Sequence, residues 1–126
     1  VKKLTLLKEN KMASNFFIVH HTFKPGMAEK WWANMNDYDE AKQKTHQENW
    51  AKAGVYCHTF MPTAKEGPMF CIWEAKEGVS DSDFQNFIDG PDAIGVHMGL
   101  DQPLHNHCQK IDHDLIGGDG PYPRHY

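Results

Sequence analysis

The apolar positions of the chain fall into blocks whose spacing changes several times, and each change predicts an element. Residues 16–23 are a β-branched and aromatic run closed by Lys24, Pro25 and Gly26, which predicts a strand apolar on both faces. From 27 to 53 the spacing lengthens to three and four residues through Met27, Trp31, Met35 and Tyr38. It continues less regularly through Thr45, Trp50 and Ala53 to a stop at Gly54. That pattern predicts one long helix, or two helices broken between Asn34 and Asp39. Residues 55–61 predict a second strand ending at Pro62, residues 65–68 a hairpin turn, and residues 69–75 a third strand, apolar on both faces except at Glu74. Ser80, Asp81, Ser82 and Asp83 are N-cap candidates for a short helix through Phe84, Phe87 and Ile88, which Gly90 and Pro91 end.

Residues 92–103, interrupted by Gly95, Gly99 and Pro103, predict a loop with one helical turn around Ala93 and Ile94, a candidate lid or pocket rim. Residues 104–112 predict a fourth strand whose apolar pattern is broken by His105, His107 and Lys110. The order strand, helix, strand, strand, helix, strand is that of an α+β, ferredoxin-like βαββαβ sandwich with both helices on one face of an antiparallel sheet. Residues 14–116 make this domain. Residues 1–13 are expected to be a flexible or non-native extension, because Met12, Ala13 and Ser14 read like a natural start. The Gly/Pro-rich residues 117–126 are expected to be mobile unless a partner pins them. Strands apolar on both faces need cover on the second face, and this predicts a homodimer.

Composition narrows the function classes. A length of 126 residues holds one domain, and 40% apolar residues suffice to bury its core. No apolar run approaches the ~20 residues of a membrane span. A formal charge of -4 gives no footprint for nucleic acid. The nine histidines make net charge steeply pH-dependent just below neutrality. Cys57, Cys71 and Cys108 are an odd number without a CxxC pair, which predicts a reducing, cytoplasmic setting and three small buried hydrophobes. Cys57–His58 and His107–Cys108 are strand neighbours that point to opposite faces, so neither pair is expected to act in catalysis.

Phe23-Lys24-Pro25-Gly26 closing the first strand resembles the dimeric α+β barrel superfamily, which includes antibiotic-biosynthesis monooxygenase-like and stress-responsive barrel families. Residues 70–75 are similar to the third strand of small ferredoxin-like families of unknown function, one of which resembles a bacterial nickel-binding protein. The resemblance spans roughly residues 16–112. It implies a ferredoxin-like homodimer, and in several such barrels a pocket between sheet and helices holds an aromatic or polyketide-like molecule.

Two constellations carry candidate chemistry. One is a histidine cluster with a carboxylate: His20 or His21, His58, Glu74, and His105 with His107. Period-two alternation allows only one of His20 and His21 in a given site, and puts His105 and His107 on one face at a workable ligand spacing. Imidazole and carboxylate together suit Ni, Zn, Cu or Fe(II) alike. The other is an aromatic pocket lined by Trp31, Trp50 and Trp73, in which His21 and Glu74 can serve as acid and base. The leading expectation is a small homodimer that binds a metal ion or small ligand through the His/Glu cluster. The alternatives are a cofactor-free oxygenase, cyclase or isomerase acting on an aromatic or polyketide-like substrate, and an interaction subunit that docks through its basic start and Pro-rich end.

Overall fold

A computed structural model describes residues 13–95, 101–118 and 120–126. Most of the expected N-terminal extension, and residues 96–100 of the expected rim loop, lie outside the described residues. The elements are β1 (Asn15–Phe23), α1 (Ala28–Met35), α2 (Glu40–Ala53), β2 (Val55–Pro62), β3 (Met69–Ala75), α3 (Asp81–Asp89), β4 (Leu104–Lys110) and α4 (His113–Ile116). The strands form one sheet in the order β2-β3-β1-β4 with every neighbouring pair antiparallel. The architecture is therefore α+β and compatible with a ferredoxin-like fold.

Local chemistry explains the boundaries. The long helical pattern resolves into two helices because Asp39 turns extended and its carboxylate accepts from the Lys42 N–H at 2.8 Å, which starts α2 afresh. Gly54 ends α2 in the left-handed region at φ 77°. Ser80 and Asp83 form a reciprocal capping box at the start of α3. β4 stops at Lys110, two residues short of the expected strand, and the unexpected turn of α4 follows. There the Asp112 carboxylate accepts from the N–H groups of Asp114 and Leu115 at 2.8 and 3.3 Å.

The two sheet faces differ. One carries Phe17, Val19 and His21 of β1 and Met69, Cys71 and Trp73 of β3, and the helices cover it: Phe84 and Ile88 of α3 and Trp50 of α2 pack on Phe17, Val19, Cys71 and Trp73, while Trp31 of α1 packs on Met69 and Leu104. The other carries Phe16, Ile18 and His20 beside Glu74, Ile72 and Phe70. A β-bulge between Cys57 and Thr59 sets which β2 side chains join each face. Tyr56 lies opposite Glu74 and Thr59 opposite Ile72, whereas Phe60 lies opposite Cys71 and faces the helices.

The last residues of the chain cover one end of the second face. Tyr122 stacks on His58 at 4.9 Å, His125 on Tyr56 at 3.9 Å, and the Arg124 guanidinium lies 5.4 Å over the Phe16 ring. Phe16 is thereby fully buried. The end expected to dock on another assembly thus docks on its own sheet.

Candidate functional site

The histidines and the carboxylate proposed as one cluster occupy three separate places. His21 lies on the helix-covered face and Glu74 on the other, so the two do not form an acid/base pair. His58, the bulged residue, does reach Glu74: its Nε2–H donates to Oε1 at 2.7 Å. His20 lies four residues along β1 from the position opposite Glu74, roughly 13 Å at strand rise. It stacks on Phe70 and sits opposite His107, while His105 sits opposite Thr22, a further step away. Among the described residues, no group of three or more His, Cys, Asp or Glu side chains is arranged to hold a metal ion.

Glu74 is fully buried, and its oxygens are taken. Oε1 accepts from His58 and from the backbone N–H of His125 at 2.7 Å. Oε2 accepts from Ser14 Oγ at 2.5 Å and from the backbone N–H of Tyr126 at 2.9 Å. Burial pushes its pKa up, but the donations from His125, Ser14, Tyr126 and His58 outweigh burial and hold it below the ordinary carboxylate value. Arg124 donates to Ser14 Oγ at 2.8 Å and also to its carbonyl, and Tyr126 OH donates to the Val55 carbonyl at 3.0 Å. This carboxylate is an anchor for the C-terminal segment.

The aromatic residues do come together. A cavity of about 280 Å³ opens between α1, α2 and the sheet, lined by Trp31, Met35, Tyr38, Gln43, Gln47, Trp50, Cys57, Phe60 and Ile94. Trp73 stands behind Trp50, with ring centroids 4.9 Å apart, rather than in the wall. The rim loop is tied to both lining indoles: Trp31 Nε1 donates to the Ile94 carbonyl at 3.1 Å and Trp50 Nε1 to that of Asp92 at 2.8 Å. At the polar edge Tyr38 OH and His46 Nδ1 lie 3.0 Å apart. Burial raises the Tyr38 pKa, and burial, opposed by Asp92, lowers that of His46, so both groups are held neutral. Sequence reasoning missed Phe60, because strict alternation assigns it to the face of Tyr56 and His58. It also passed over Gln43 and Gln47, whose only signal is their four-residue spacing on α2.

Described residues also line further cavities, among them the following. A groove of about 610 Å³ lies between α1 and residues 62–65, lined largely by exposed side chains such as Glu29, Asn36 and Lys65. A cavity of about 330 Å³ shares Gln47, Trp50 and Cys57 with the aromatic one and is walled on its far side by His125 and Tyr126. The groove is larger, but only Trp32 among its lining residues is aromatic, and the Trp32 indole N–H already donates to the Lys65 carbonyl. Among the described residues, no helix is long and apolar enough to cross a membrane.

A family model described as a domain of unknown function (DUF8652) matches residues 16–119. No curated protein and no solved structure matches the chain.

Proposed function

The chain belongs to the DUF8652 family, and we propose that this member binds a small, largely apolar, ring-containing ligand in the cavity between α1, α2 and the sheet. The supporting observation is the lining: four aromatic side chains, Trp31, Tyr38, Trp50 and Phe60, with Gln43 and Gln47 as the polar groups that orient a guest. Ligand cavities run from about 300 to 1,000 Å³, so one near 280 Å³ fits a compact one- or two-ring molecule better than an extended polycycle. Glu74 has no free acceptor in the structure. This favours an organic ligand over the His/Glu cluster, and binding over acid/base catalysis by His21 and Glu74. We also propose that the ferredoxin-like domain works as a homodimer. Ile18 and Met61 remain 37% and 43% exposed on the sheet face that the C-terminal segment leaves open.

The test is titration of purified protein with an anilinonaphthalene sulfonate probe, following quenching of the lining tryptophans, beside light scattering on the same sample. Saturable quenching is expected, with a mass near twice 14.5 kDa. Gln43→Trp fills the cavity from the exposed face of α2 and should weaken probe binding at least tenfold with little loss of stability. Equal affinity in that variant would remove the cavity as the site. A second reading, a transition-metal ion, rests on His20 and His107 facing each other across β1 and β4. Elemental analysis of the same protein separates the two, because stoichiometric metal lost in His107→Ala would promote the second.

A further inference from the structure

The polar edge of the aromatic cavity carries a pair of groups built to exchange a proton. Tyr38 lies at the junction of α1 and α2, where its N–H donates to the Met35 carbonyl at 3.2 Å and Asp39 starts the next helix. Its side chain lines the cavity. His46 of α2 is only 6% exposed and stands behind the phenol rather than in the wall. The imidazole is nearly parallel to the rings of Tyr38 and Trp50, with centroids 5.5 and 6.3 Å away. Trp50 is itself fixed by its donation to the Asp92 carbonyl.

The contact between the two has a direction. Burial raises Tyr38 and lowers His46, so near neutral pH the phenol keeps its proton and the imidazole keeps a lone pair. A phenol is a stronger acid than a neutral imidazole and a poorer acceptor, so the Tyr38 O–H donates to His46 Nδ1, at 3.0 Å. A phenol oxygen that donates in this way still has acceptor capacity. Gln43 and Gln47, one turn apart on α2, add amide N–H donors to the wall, which suit negative charge on a guest's oxygen. The Asp92 carboxylate, held by the Asn49 amide at 3.3 Å, acts on His46 from the rim loop and favours its charged form.

We propose that Tyr38 is the catalytic residue of an isomerase-type proton transfer on a compact cyclic ketone held in this cavity, with His46 the positioning residue that takes up the phenol proton. The inference rests on the cavity as a ligand site and adds an activity to it. In the forward step a C–H bond beside the carbonyl breaks and an O–H bond forms at the Tyr38 oxygen. The phenol proton moves to His46 Nδ1, and the C–H electron pair shifts through the C–C bond to the carbonyl oxygen, giving an enolate and an imidazolium. The Gln43 and Gln47 amides donate to the enolate oxygen, and Asp92 stabilises the imidazolium. In the return step the imidazolium gives its proton to the phenol oxygen as the phenol delivers its own to the same carbon, or to a conjugated one. The ketone is regenerated, or its double bond is moved, and the balance needs no further reactant.

The experiment incubates the full chain in D₂O with 2-tetralone, a two-ring ketone with an acidic C–H beside its carbonyl. Deuterium incorporation is followed by mass spectrometry, and displacement of the anilinonaphthalene sulfonate probe is read on the same samples. Expected are displacement of the probe and saturable incorporation about a hundredfold or more faster than in protein-free buffer. Tyr38→Phe should still displace the probe and lose nearly all of that acceleration. His46→Gln keeps an acceptor for the phenol but takes no proton, so it should lower kcat with little change in KM. It should also remove the fall in rate that the unmodified protein shows on the acid side of 6.5, where His46 becomes charged. Exchange no faster than in buffer, or unchanged exchange in Tyr38→Phe, would overturn the proposal and leave the cavity as a binding site. An absence of probe quenching would instead overturn the ligand cavity, and the activity with it.

Discussion

Glu74 shows how a buried charge can serve architecture. Its two oxygens accept four donors, two of them backbone N–H groups of the chain's last residues, so the carboxylate closes the C-terminus over β1, β2 and β3. Removing one partner of such an arrangement costs more than the arrangement itself contributes, because the others stay buried without an acceptor. In Glu74→Gln the new NH₂ group faces donors on every side. The expected loss is about 2–4 kcal/mol in urea unfolding. Probe affinity at the aromatic cavity, on the opposite sheet face, should stay unchanged. A variant as stable as the original would show that the anchor carries no load, and a variant that lost the probe while keeping its stability would return Glu74 to the functional site.

Among the elements, the C-terminal segment departs furthest from its sequence. Glycine and proline from 117 onward predict mobility, yet residues 120–126 close over Phe16, and Gly120 is the residue that allows the approach. Its φ is +130°, and a Cβ there would stand 2.6 Å from Phe16 Cε2, whereas a Cβ at Gly117 would meet nothing within 4 Å. Gly120→Ala is therefore expected to lift the segment at a cost of roughly 1–3 kcal/mol. Hydrogen exchange should then show the amides of His125 and Tyr126 losing protection, while Gly117→Ala leaves them protected. Equal protection in the two variants would contradict the packing account.

The same segment marks where sequence reading stops. Strands 1 to 3, a break between Asn34 and Asp39 as one of two alternatives, the cap at Ser80 and the stop at Gly54 were legible because each rests on local spacing or a local hydrogen bond; the Asp39 cap itself was not read. Trp31 and Trp50 were legible as pocket residues by their helical positions. The bulge at His58 was not, since it breaks the alternation on which face assignment depends, and it is what turns Phe60 into the cavity and His58 over Glu74. Nor was the Cys71–His21 contact, which joins residues 50 positions apart and follows from the β1–β3 register alone.

At the scale of the whole molecule, the two sheet faces give the fold two separate responses to acid. On the helix-covered face His21 is neutral, its pKa held below the ordinary 6.5 chiefly by burial. His46 is lowered likewise, chiefly by burial. Once the pH falls below about 6.5, the unfolded chain binds protons at these positions that the native chain refuses, so stability declines until the native values are reached. On the other face Glu74 has the opposite sign of charge and the same direction of shift. Its contribution is complete above the ordinary carboxylate value of 4.5 and is lost as the pH falls below it. Urea midpoints measured from pH 7.5 downward should therefore show a plateau, a first decline beginning near 6.5 and a second, steeper one below 4.5. His21→Gln should flatten the first decline, more so together with His46→Gln, and should leave the second in place. Glu74→Gln should do the reverse. A midpoint that holds steady or rises between pH 6.5 and 5 would mean that the imidazole of His21 is charged in the native state.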